Sequence, residues 1–262
     1  MDQRIFIHLP YVQLPQRIDV LASEGLHPEV YLSAHALEEI SPSSLEQIAT
    51  LLRTRRLECT IHGPFVDLNA GSKDERIRKV TLRRYAQAFA AARILNPLQM
   101  VLHCGYDRWH YGDPEDEEGW LRQSARSWEW ALEETKDLGL ILALENVFEH
   151  HPRVFGKLLR RMGTDRLRVC FDIGHFNIFS TTPLEEWMEE LSGFLAELHL
   201  HDNLGEDDDH LAIGEGKIDF AAFFRQLKEK GTRPLFTIEA FDERQVRASL
   251  NALEKYMQGG QK

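Results

Sequence analysis

The 262-residue chain has only three cysteines, and none of them lies in a CxxC or CxxH spacing. Three thiols cannot all pair, so a disulfide scaffold is excluded, and the missing spacing excludes a zinc-finger-type site. Such sparse use of cysteine is typical of a reducing compartment, and we expect a cytoplasmic protein. The start of the chain has no basic segment followed by an apolar one, so we expect no signal peptide.

Long hydrophobic runs and positive charge are also scarce. No stretch approaches the ~20 apolar residues of a membrane span, so no membrane partner is expected. The 31 Lys and Arg stand against 42 Asp and Glu, which gives a formal net charge of -11. This balance argues against a broad basic face for nucleic acid, although metal ions can hold phosphate on an acidic protein. Nucleic acid is therefore the less favoured partner, and the oligomeric state is left open.

Short apolar runs rich in β-branched residues recur eight times, and helix-like segments separate them. The predicted strands are 4–9, 29–32, 59–62, 100–103, 140–145, 168–172, 196–201 and 235–239. The predicted helices are 12–23, 44–53, 73–95, 117–138, 152–162, 183–191, 220–230 and 243–257. Continuous apolar strands are typical of a parallel sheet covered on both faces. Eight strand–helix units in this length favour an α/β fold with a single (β/α)8 TIM barrel over 1–262, rather than an open doubly wound sheet.

Two local patterns concern the connections of this barrel. Ser72 is a candidate N-cap for the third predicted helix, with Glu75 three residues later as in a capping box. The segment 105–119 is long for a connection between a strand and a helix. Long connections at the mouth of a barrel often act as lids.

Six consecutive predicted strands end in residues that bind metal ions. In a parallel barrel, active-site residues project from the carboxyl ends of the strands. His, Asp and Glu together make up 54 of the 262 residues, so six such ends in a row are far from a chance result. From the third strand to the eighth, these residues are His62, His103, Glu145, Asp172, His199 and Glu239.

Three more candidate ligands lie near these ends. His175 follows Asp172 in the sequence DIGH, and Asp208 and His210 lie in the loop after the seventh strand. For the last two, a solvated acidic loop is an equally good interpretation. Imidazole and carboxylate without thiolate suit Zn, Mn, Fe or Co. Nine ligands exceed what one ion uses, so we expect a divalent metal, Zn or Mn, with one to three ions.

A further set of residues is predicted to contact the substrate. Its aromatic members lie on loops just beyond ligand-bearing strands, where ordinary loop packing is an equal alternative. One histidine, His201, shares a strand face with His199 by the two-residue period, and core packing is the alternative there. The glycine turn 214–216 is a weak phosphate-binding pattern, because glycines serve tight turns equally well. The candidates are His8, Phe65, Tyr106, Trp109, His201 and Lys217.

Seven short segments carry a family resemblance. They are, in chain order, IHGPF, LHCG, LENV, FDIGH, LHLHDN, DDDHLAIGEGKIDF and TIEAF. With these segments the chain resembles the xylose isomerase-like TIM-barrel superfamily from the third strand onward, while the earlier part matches only in general pattern. The superfamily includes sugar and sugar-phosphate isomerases and epimerases, and the endonuclease IV class of abasic-site nucleases. The segments are specific for the superfamily but do not choose among its activities.

The resemblance implies two alternative sites. Epimerases similar to D-tagatose 3-epimerase hold one divalent ion with Glu, Asp, His and Glu, here Glu145, Asp172, His199 and Glu239, and the two glutamates exchange protons with the substrate. The endonuclease IV class binds three zinc ions with nine ligands, and all nine positions named above are filled. Against nuclease function, the opening RIFIHLPY departs from the GAHVS-like start of those enzymes.

We therefore expect a metal-dependent isomerase or epimerase of a small-molecule sugar or sugar phosphate, acting by proton transfer through a metal-stabilised enediolate. Glu145 and Glu239 are the predicted catalytic acid and base. The runner-up is a zinc-dependent phosphoesterase of the endonuclease IV kind. The third alternative is a metal-binding barrel without catalysis, since the fold itself selects no chemistry.

Overall fold

The computed structural model describes residues 3–258. All eight strands pair in parallel with their neighbours in chain order, and the eighth pairs with the first to close a barrel. The predicted (β/α)8 barrel is confirmed. The strands are β1 (Ile5–Pro10), β2 (His27–Tyr31), β3 (Thr60–His62), β4 (Gln99–His103), β5 (Ile141–Glu145), β6 (Leu167–Asp172), β7 (Leu195–Leu200) and β8 (Leu235–Ile238).

Each of the eight predicted helices is present, with bounds shifted by a few residues. Three short helices at the mouth of the barrel were not predicted, because four to seven residues are too few to show an amphipathic period. Within residues 3–258 the helices are α1 (Leu14–Glu24), α2 (Ala34–Glu39), α3 (Pro42–Thr54), α4 (Glu75–Leu95), α5 (Arg108–Tyr111), α6 (Pro114–Glu134), α7 (Arg153–Met162), α8 (Ile173–Phe179), α9 (Leu184–Leu191), α10 (Phe220–Lys230) and α11 (Glu243–Gln258).

The structure corrects both predictions about the connections. The N-cap of α4 is Asp74, whose carboxylate accepts from the backbone N–H of Arg76, while Ser72 lies outside the helix and accepts from the N–H of Asp74. The segment 105–119 is not a long loop, because it contains α5 and the start of α6. Asp113 caps α6 and Pro114 occupies its first position, which suits the fixed φ of proline.

The core lies mainly between the strands and the helices that cover them. Its largest fully buried side chains include Trp120, Trp128, Trp187, Phe155 and Phe171. Phe171 on β6 contacts Trp187 on α9, with ring centroids 5.7 Å apart, so aromatic residues join a strand to a helix on the outside of the barrel. No helix in the described part of the chain is long and apolar enough to cross a membrane.

Strand pairing places the predicted ligands at one end of the barrel. His103 at the end of β4 pairs with Glu145 at the end of β5, and Asp172 at the end of β6 pairs with His199 in β7. Glu239 directly follows β8. The fold therefore brings the carboxyl ends of β3 to β8 to a common mouth.

Candidate metal centre

Glu145 lies among four histidines at the mouth of the barrel, and each of its two carboxylate oxygens lies close to two imidazole rings. Its Oε2 lies 3.1 Å from Nε2 of His62 and 3.3 Å from Nε2 of His103. Its Oε1 lies 3.2 Å from Nδ1 of His175 and 3.6 Å from Nδ1 of His199. Two atoms that bind the same zinc ion at ~2.0–2.2 Å lie about 3–4 Å from each other. Each oxygen of Glu145 is therefore spaced to share an ion with a histidine.

Nδ1 of His199 faces three carboxylates. Besides Glu145, it lies 3.4 Å from Oε1 of Glu239 and 3.9 Å from Oδ2 of Asp172. The ring is completely buried, and neither of its nitrogens has an aligned hydrogen-bond partner. A buried polar atom without a partner is costly, so this ring is placed for a ligand that hydrogen bonds do not supply.

The third group of candidate ligands surrounds Asp208, whose carboxylate lies at the mouth of the barrel. Its Oδ2 lies 3.4 Å from Nε2 of His175 and 3.1 Å from Nε2 of His210. The ring of His210 stacks on that of His201, with centroids 4.1 Å apart. Nε2 of His201 in turn lies 3.1 Å from Oδ2 of Asp172. The structure thus brings all nine predicted ligands to one mouth of the barrel. His201, which was predicted to contact the substrate, also lies among them.

These residues fit a divalent metal. Several sets of three donor atoms lie within 4.8 Å of one another, and all the donors are nitrogen or oxygen, which suits Zn or Mn. Nδ1 of His201 is buried without a partner, as are both nitrogens of His199. The sets that the mouth offers include His62–His103–Glu145, His62–His199–Glu239 and His201–His210–Glu239.

Electrostatics keep the carboxylates ionised. Burial acts to raise the pKa of Glu145, but the facing His103 and His199 hold it well below its usual range. The pKa values of Asp172 and Glu239 are lowered against burial in the same way, by the histidines that face them. Ionised carboxylates are the form that binds a cation. The pKa of His175 is raised against burial by Asp172, Asp208 and Glu145, so a metal that binds its ring must displace a proton.

Asn146 links the ends of β5 and β6 through two hydrogen bonds. Its side-chain amide donates to the carbonyl of Asp172, and its side-chain oxygen accepts from the N–H of Asp172, both at 2.9 Å. Asp172 also caps α8, since its carboxylate accepts from the N–H of His175 at 2.6 Å. This bonding fixes the spacing between Glu145 and Asp172.

The sequence analysis missed Glu29, which lies in the middle of β2 and is completely buried. Its Oε1 is 3.3 Å from Nε2 of His199 and 3.1 Å from Nδ1 of His8. Glu197, two residues before His199, was missed as well, although the two-residue period places it on the same strand face. It is buried and accepts from the amide of Gln99. A charged residue inside a buried strand was the signal for both.

A cavity of about 940 Å³ opens above these groups, and three of the predicted substrate contacts line it: His8, Phe65 and Tyr106. Phe65 stacks on the ring of His103 with centroids 4.2 Å apart. His8 lies 3.2 Å from Oε1 of Glu239. These residues are therefore placed to contact a molecule bound at the mouth.

The other three predicted contacts lie elsewhere. His201 is completely buried among the candidate ligands. Trp109 is exposed beside the cavity, edge-on to Phe148 at 6.2 Å. The side chain of Lys217 is exposed and does not line the cavity, while its backbone N–H donates to Asn203. The structure does not bring Lys217 or Trp109 into the cavity.

The backbone of the glycine turn 214–216 is bound by a neighbouring carboxylate of the protein itself. The carboxylate of Asp202 accepts from the N–H groups of Gly214, Gly216 and Ile218 at 2.9–3.1 Å. Gly214 has a φ of +88°, which favours glycine. The turn's N–H groups are directed at Asp202, so they do not form a phosphate cradle.

Comparison with known proteins places the chain in a family. A family model described as xylose isomerase-like TIM barrel matches residues 27–256. The chain belongs to this family. It is 30% identical over 230 residues to the uncharacterized protein MJ1311 of Methanocaldococcus jannaschii, covering 84% of this chain and 76% of that one.

Two solved structures of this barrel type are similar over nearly the whole length. One is a D-tagatose 3-epimerase-like protein, 26% identical, with a TM-score of 0.82, covering 98% of this chain and 97% of that one. The other is the TTHB071 protein from Thermus thermophilus soaked with ZnCl2, 28% identical, with a TM-score of 0.82 and full coverage of both chains. D-psicose and L-ribulose 3-epimerases share the fold at lower identity. The structural neighbours thus include several sugar epimerases.

Proposed function

We propose that the protein is a divalent-metal-dependent isomerase or epimerase of a sugar or sugar phosphate, acting by proton transfer beside a carbonyl. The observation that carries the proposal is the placement of Glu145 and Glu239, from strand ends on different sides of the barrel, at 3.6 and 3.4 Å from the same nitrogen of His199. Two carboxylates around one ligand position can serve a bound substrate from two directions. Similarity to a D-tagatose 3-epimerase-like protein supports the same activity.

Glu145, Asp172, His199 and Glu239 would hold the catalytic ion. When bound, the ion supplies Lewis-acid stabilisation of negative charge on substrate oxygens. The lowered pKa of the Glu145 and Glu239 carboxyls favours their ionised forms. One carboxylate then removes the proton from the carbon next to the carbonyl. In an isomerisation, the carboxyl group so formed returns the proton to the neighbouring carbon. In an epimerisation, the other glutamate, in its protonated form, delivers a proton to the opposite face of the same carbon.

Zinc-dependent phosphoester hydrolysis is the second candidate, and the engagement of both oxygens of Glu145 favours it. Oε2 faces His62 and His103, whereas Oε1 faces His175 and His199. A carboxylate arranged in this way suits bridging of two ions, as in hydrolases that use paired metals. A Glu145 that held two ions would be a weaker base than one that held a single ion, because both of its oxygens would share their charge with a cation. The two candidates therefore require different metal contents.

The deciding experiment measures exchange and metal content on the same preparation. The protein is loaded with Zn or Mn, and ions per chain are counted by mass spectrometry. Deuterium uptake from solvent at the carbon next to the carbonyl is followed by NMR across ketoses and their phosphates. Abasic-site DNA and a simple phosphodiester are assayed in parallel.

We expect deuterium uptake in at least one sugar and no cleavage of the phosphoesters. The proposal fails if no sugar exchanges while a phosphoester is cleaved in a zinc-dependent way with about three ions per chain. Absence of both activities would leave a binding protein.

A further inference from the structure

The cavity above the candidate ligands has a two-part composition. Its walls include Phe65, Leu68, Tyr106, Phe148 and Phe179. Its floor is formed by seven of the nine candidate ligands, which are His62, His103, Glu145, His175, Asp208, His210 and Glu239. At about 940 Å³ it lies near the upper end of the ~300–1,000 Å³ range of pockets that take drug-sized ligands. A free sugar, which is much smaller, would occupy the polar floor and leave the apolar walls in water.

The rim of the cavity carries large apolar side chains that are exposed. Val66, Ile77 and Phe148 line the cavity with exposed fractions of 60%, 42% and 43%. Two more exposed aromatic residues extend this surface, because Trp109 contacts Phe148 and Phe241 stacks on His210 at 5.1 Å. Single exposed apolar residues are ordinary, but a group of them around one opening marks a binding surface.

Cationic side chains are missing from the same walls. No Lys or Arg of the described chain lines the cavity, whereas Asp67 and Asp107 do. Near the rim, Lys73 is paired with Asp116 at 2.6 Å, and Arg108 lies over the ring of Trp109. The N–H groups of the glycine turn are directed at Asp202. A phosphate held away from the metal would meet carboxylates, and the ammonium of Lys73, which lies 5.8 Å from the ring of the lining residue Tyr111, is already paired with Asp116.

We infer that the substrate is an uncharged sugar derivative with an apolar substituent, of the aryl or alkyl glycoside class. The inference rests on the proposed function for the chemistry of the sugar part. The hydroxyl and carbonyl groups lie at the donor floor, and the substituent packs against Ile77, Phe148 and Val66. Burial of this substituent supplies affinity that a free sugar or a sugar phosphate lacks.

Binding without turnover tests the inference directly. The metal-loaded protein is titrated in a calorimeter with methyl, phenyl and octyl β-glucosides and with glucose 6-phosphate. We expect the phenyl and octyl compounds to bind at least about tenfold more tightly than the methyl compound, in line with the burial of several carbon atoms. Equal affinities for the three glycosides, or tightest binding of the phosphate, would overturn the inference.

Matched variants locate the apolar contact. Phe148→Ala and Ile77→Ala should each reduce the preference for phenyl over methyl glucoside several-fold. Val80→Ala is the control, since Val80 is exposed on the same helix as Ile77 and does not line the cavity. The inference is contradicted if Phe148→Ala keeps the full preference, or if Val80→Ala reduces it to the same extent.

Exchange measurements separate this inference from the proposed function. Deuterium uptake is compared for a free ketose, its phosphate and keto-glycosides with methyl and phenyl substituents. If no compound exchanges but the phenyl preference and its loss in Phe148→Ala persist, the proposed function fails and the apolar subsite stands. If the free ketose or its phosphate exchanges with a kcat/KM as high as that of the phenyl compound, the function stands and the inference is wrong.

Discussion

Oε1 of Glu29 lies 3.3 Å from Nε2 of His199, and both side chains are completely buried inside the barrel. Nδ1 of the same ring faces the carboxylates of the candidate metal centre. A carboxylate beside one ring nitrogen fixes the tautomer and orientation of a histidine that binds a metal through the other. Burial acts to raise the pKa of Glu29, but His199 and His8 hold it well below its usual range, so the group is ionised. We expect Glu29 to orient His199 in this way when a metal binds Nδ1, since the two groups lie in contact although they are not aligned as a hydrogen bond.

Glu29→Gln should lower the affinity for Zn by about 10–100-fold, the range found when partners of ligating histidines are removed. The amide keeps the volume of the side chain and loses the negative charge. A competition titration with a chromogenic chelator measures the affinity. Glu58→Gln, on the surface beside Arg4, is the control. Unchanged zinc affinity in Glu29→Gln would show that His199 needs no such partner.

Gly174→Ala should displace His201, because a Cβ at this position would overlap Cε1 of its ring. The helix backbone and a buried ring must then shift, at a cost of about 1–3 kcal/mol in unfolding free energy. We expect a lower melting temperature and fewer zinc ions per chain. At Gly193 a Cβ would meet nothing within 4 Å, so Gly193→Ala should change neither quantity. Normal zinc content in Gly174→Ala would exclude His201 from the metal centre.

The contrast between Glu29 and Asp172 shows which parts of the site could be predicted from the sequence. Asp172 ends a buried strand, and parallel strands in a barrel end at a common mouth, so its position follows from local pattern. Glu29 gains its role from a contact between β2 and β7, which are not neighbours in the barrel. Such contacts depend on the closure of the whole barrel and leave no trace in the periodicity of one strand.

His201 illustrates a second limit. The two-residue period correctly places it on the face of His199, but it gives no height along the barrel axis. That height depends on the register of β6 and β7, in which Asp172 pairs with His199, and on the end of β7 at Leu200. The short helices α5 and α8 escaped prediction because their aspartate caps, rather than an apolar stripe, define them.

Asp208→Asn tests how many ions the mouth binds. His175 and His210 hold the pKa of Asp208 well below its usual range although burial opposes them, so the substitution removes a full negative charge between two imidazoles. In the multinuclear centre that the phosphoesterase alternative requires, this substitution should remove about one zinc ion per chain and leave the ion at Glu145, Asp172 and His199. With the single ion of the proposed isomerase, the metal content should not change. Asp207→Asn, one residue earlier and exposed, is the control. Identical metal content in Asp208→Asn and wild type would remove Asp208 from the ligand set and count against a multinuclear centre.

Glu145→Gln and Glu239→Gln should each abolish deuterium uptake in the proposed reaction, because an amide cannot accept the substrate proton. General acid–base catalysis contributes about 10²–10⁴-fold, so the loss is measurable even with a slow substrate. Both residues are also candidate ligands, so ions per chain are counted in each variant. A variant that keeps its metal and still exchanges at the wild-type rate would contradict the assigned catalytic role.

Glu149→Gln should stabilise the protein above neutral pH. Glu149 is buried after β5, one of its oxygens lacks a hydrogen-bond partner, and burial raises the pKa of its carboxyl from 4.5 to about 7. Below pH 4.5 the group is protonated in both the folded and the unfolded chain. Between pH 4.5 and 7 the unfolded chain releases the proton first, so folding stability falls as pH rises, by about 3 kcal/mol in all.

Glutamine does not titrate, so the stability of Glu149→Gln relative to wild type should rise across this window and level off above pH 7. Urea unfolding at a series of pH values measures this difference in unfolding free energy. The other titrating groups contribute equally in both proteins, so their contributions cancel in the difference. Glu133→Gln, which removes an exposed carboxylate near Lys136, should show no such rise. A difference between Glu149→Gln and wild type that stays constant from pH 4 to pH 8 would mean that the carboxyl has the same pKa in the folded and the unfolded chain, because only a pKa difference between the two states makes stability depend on pH.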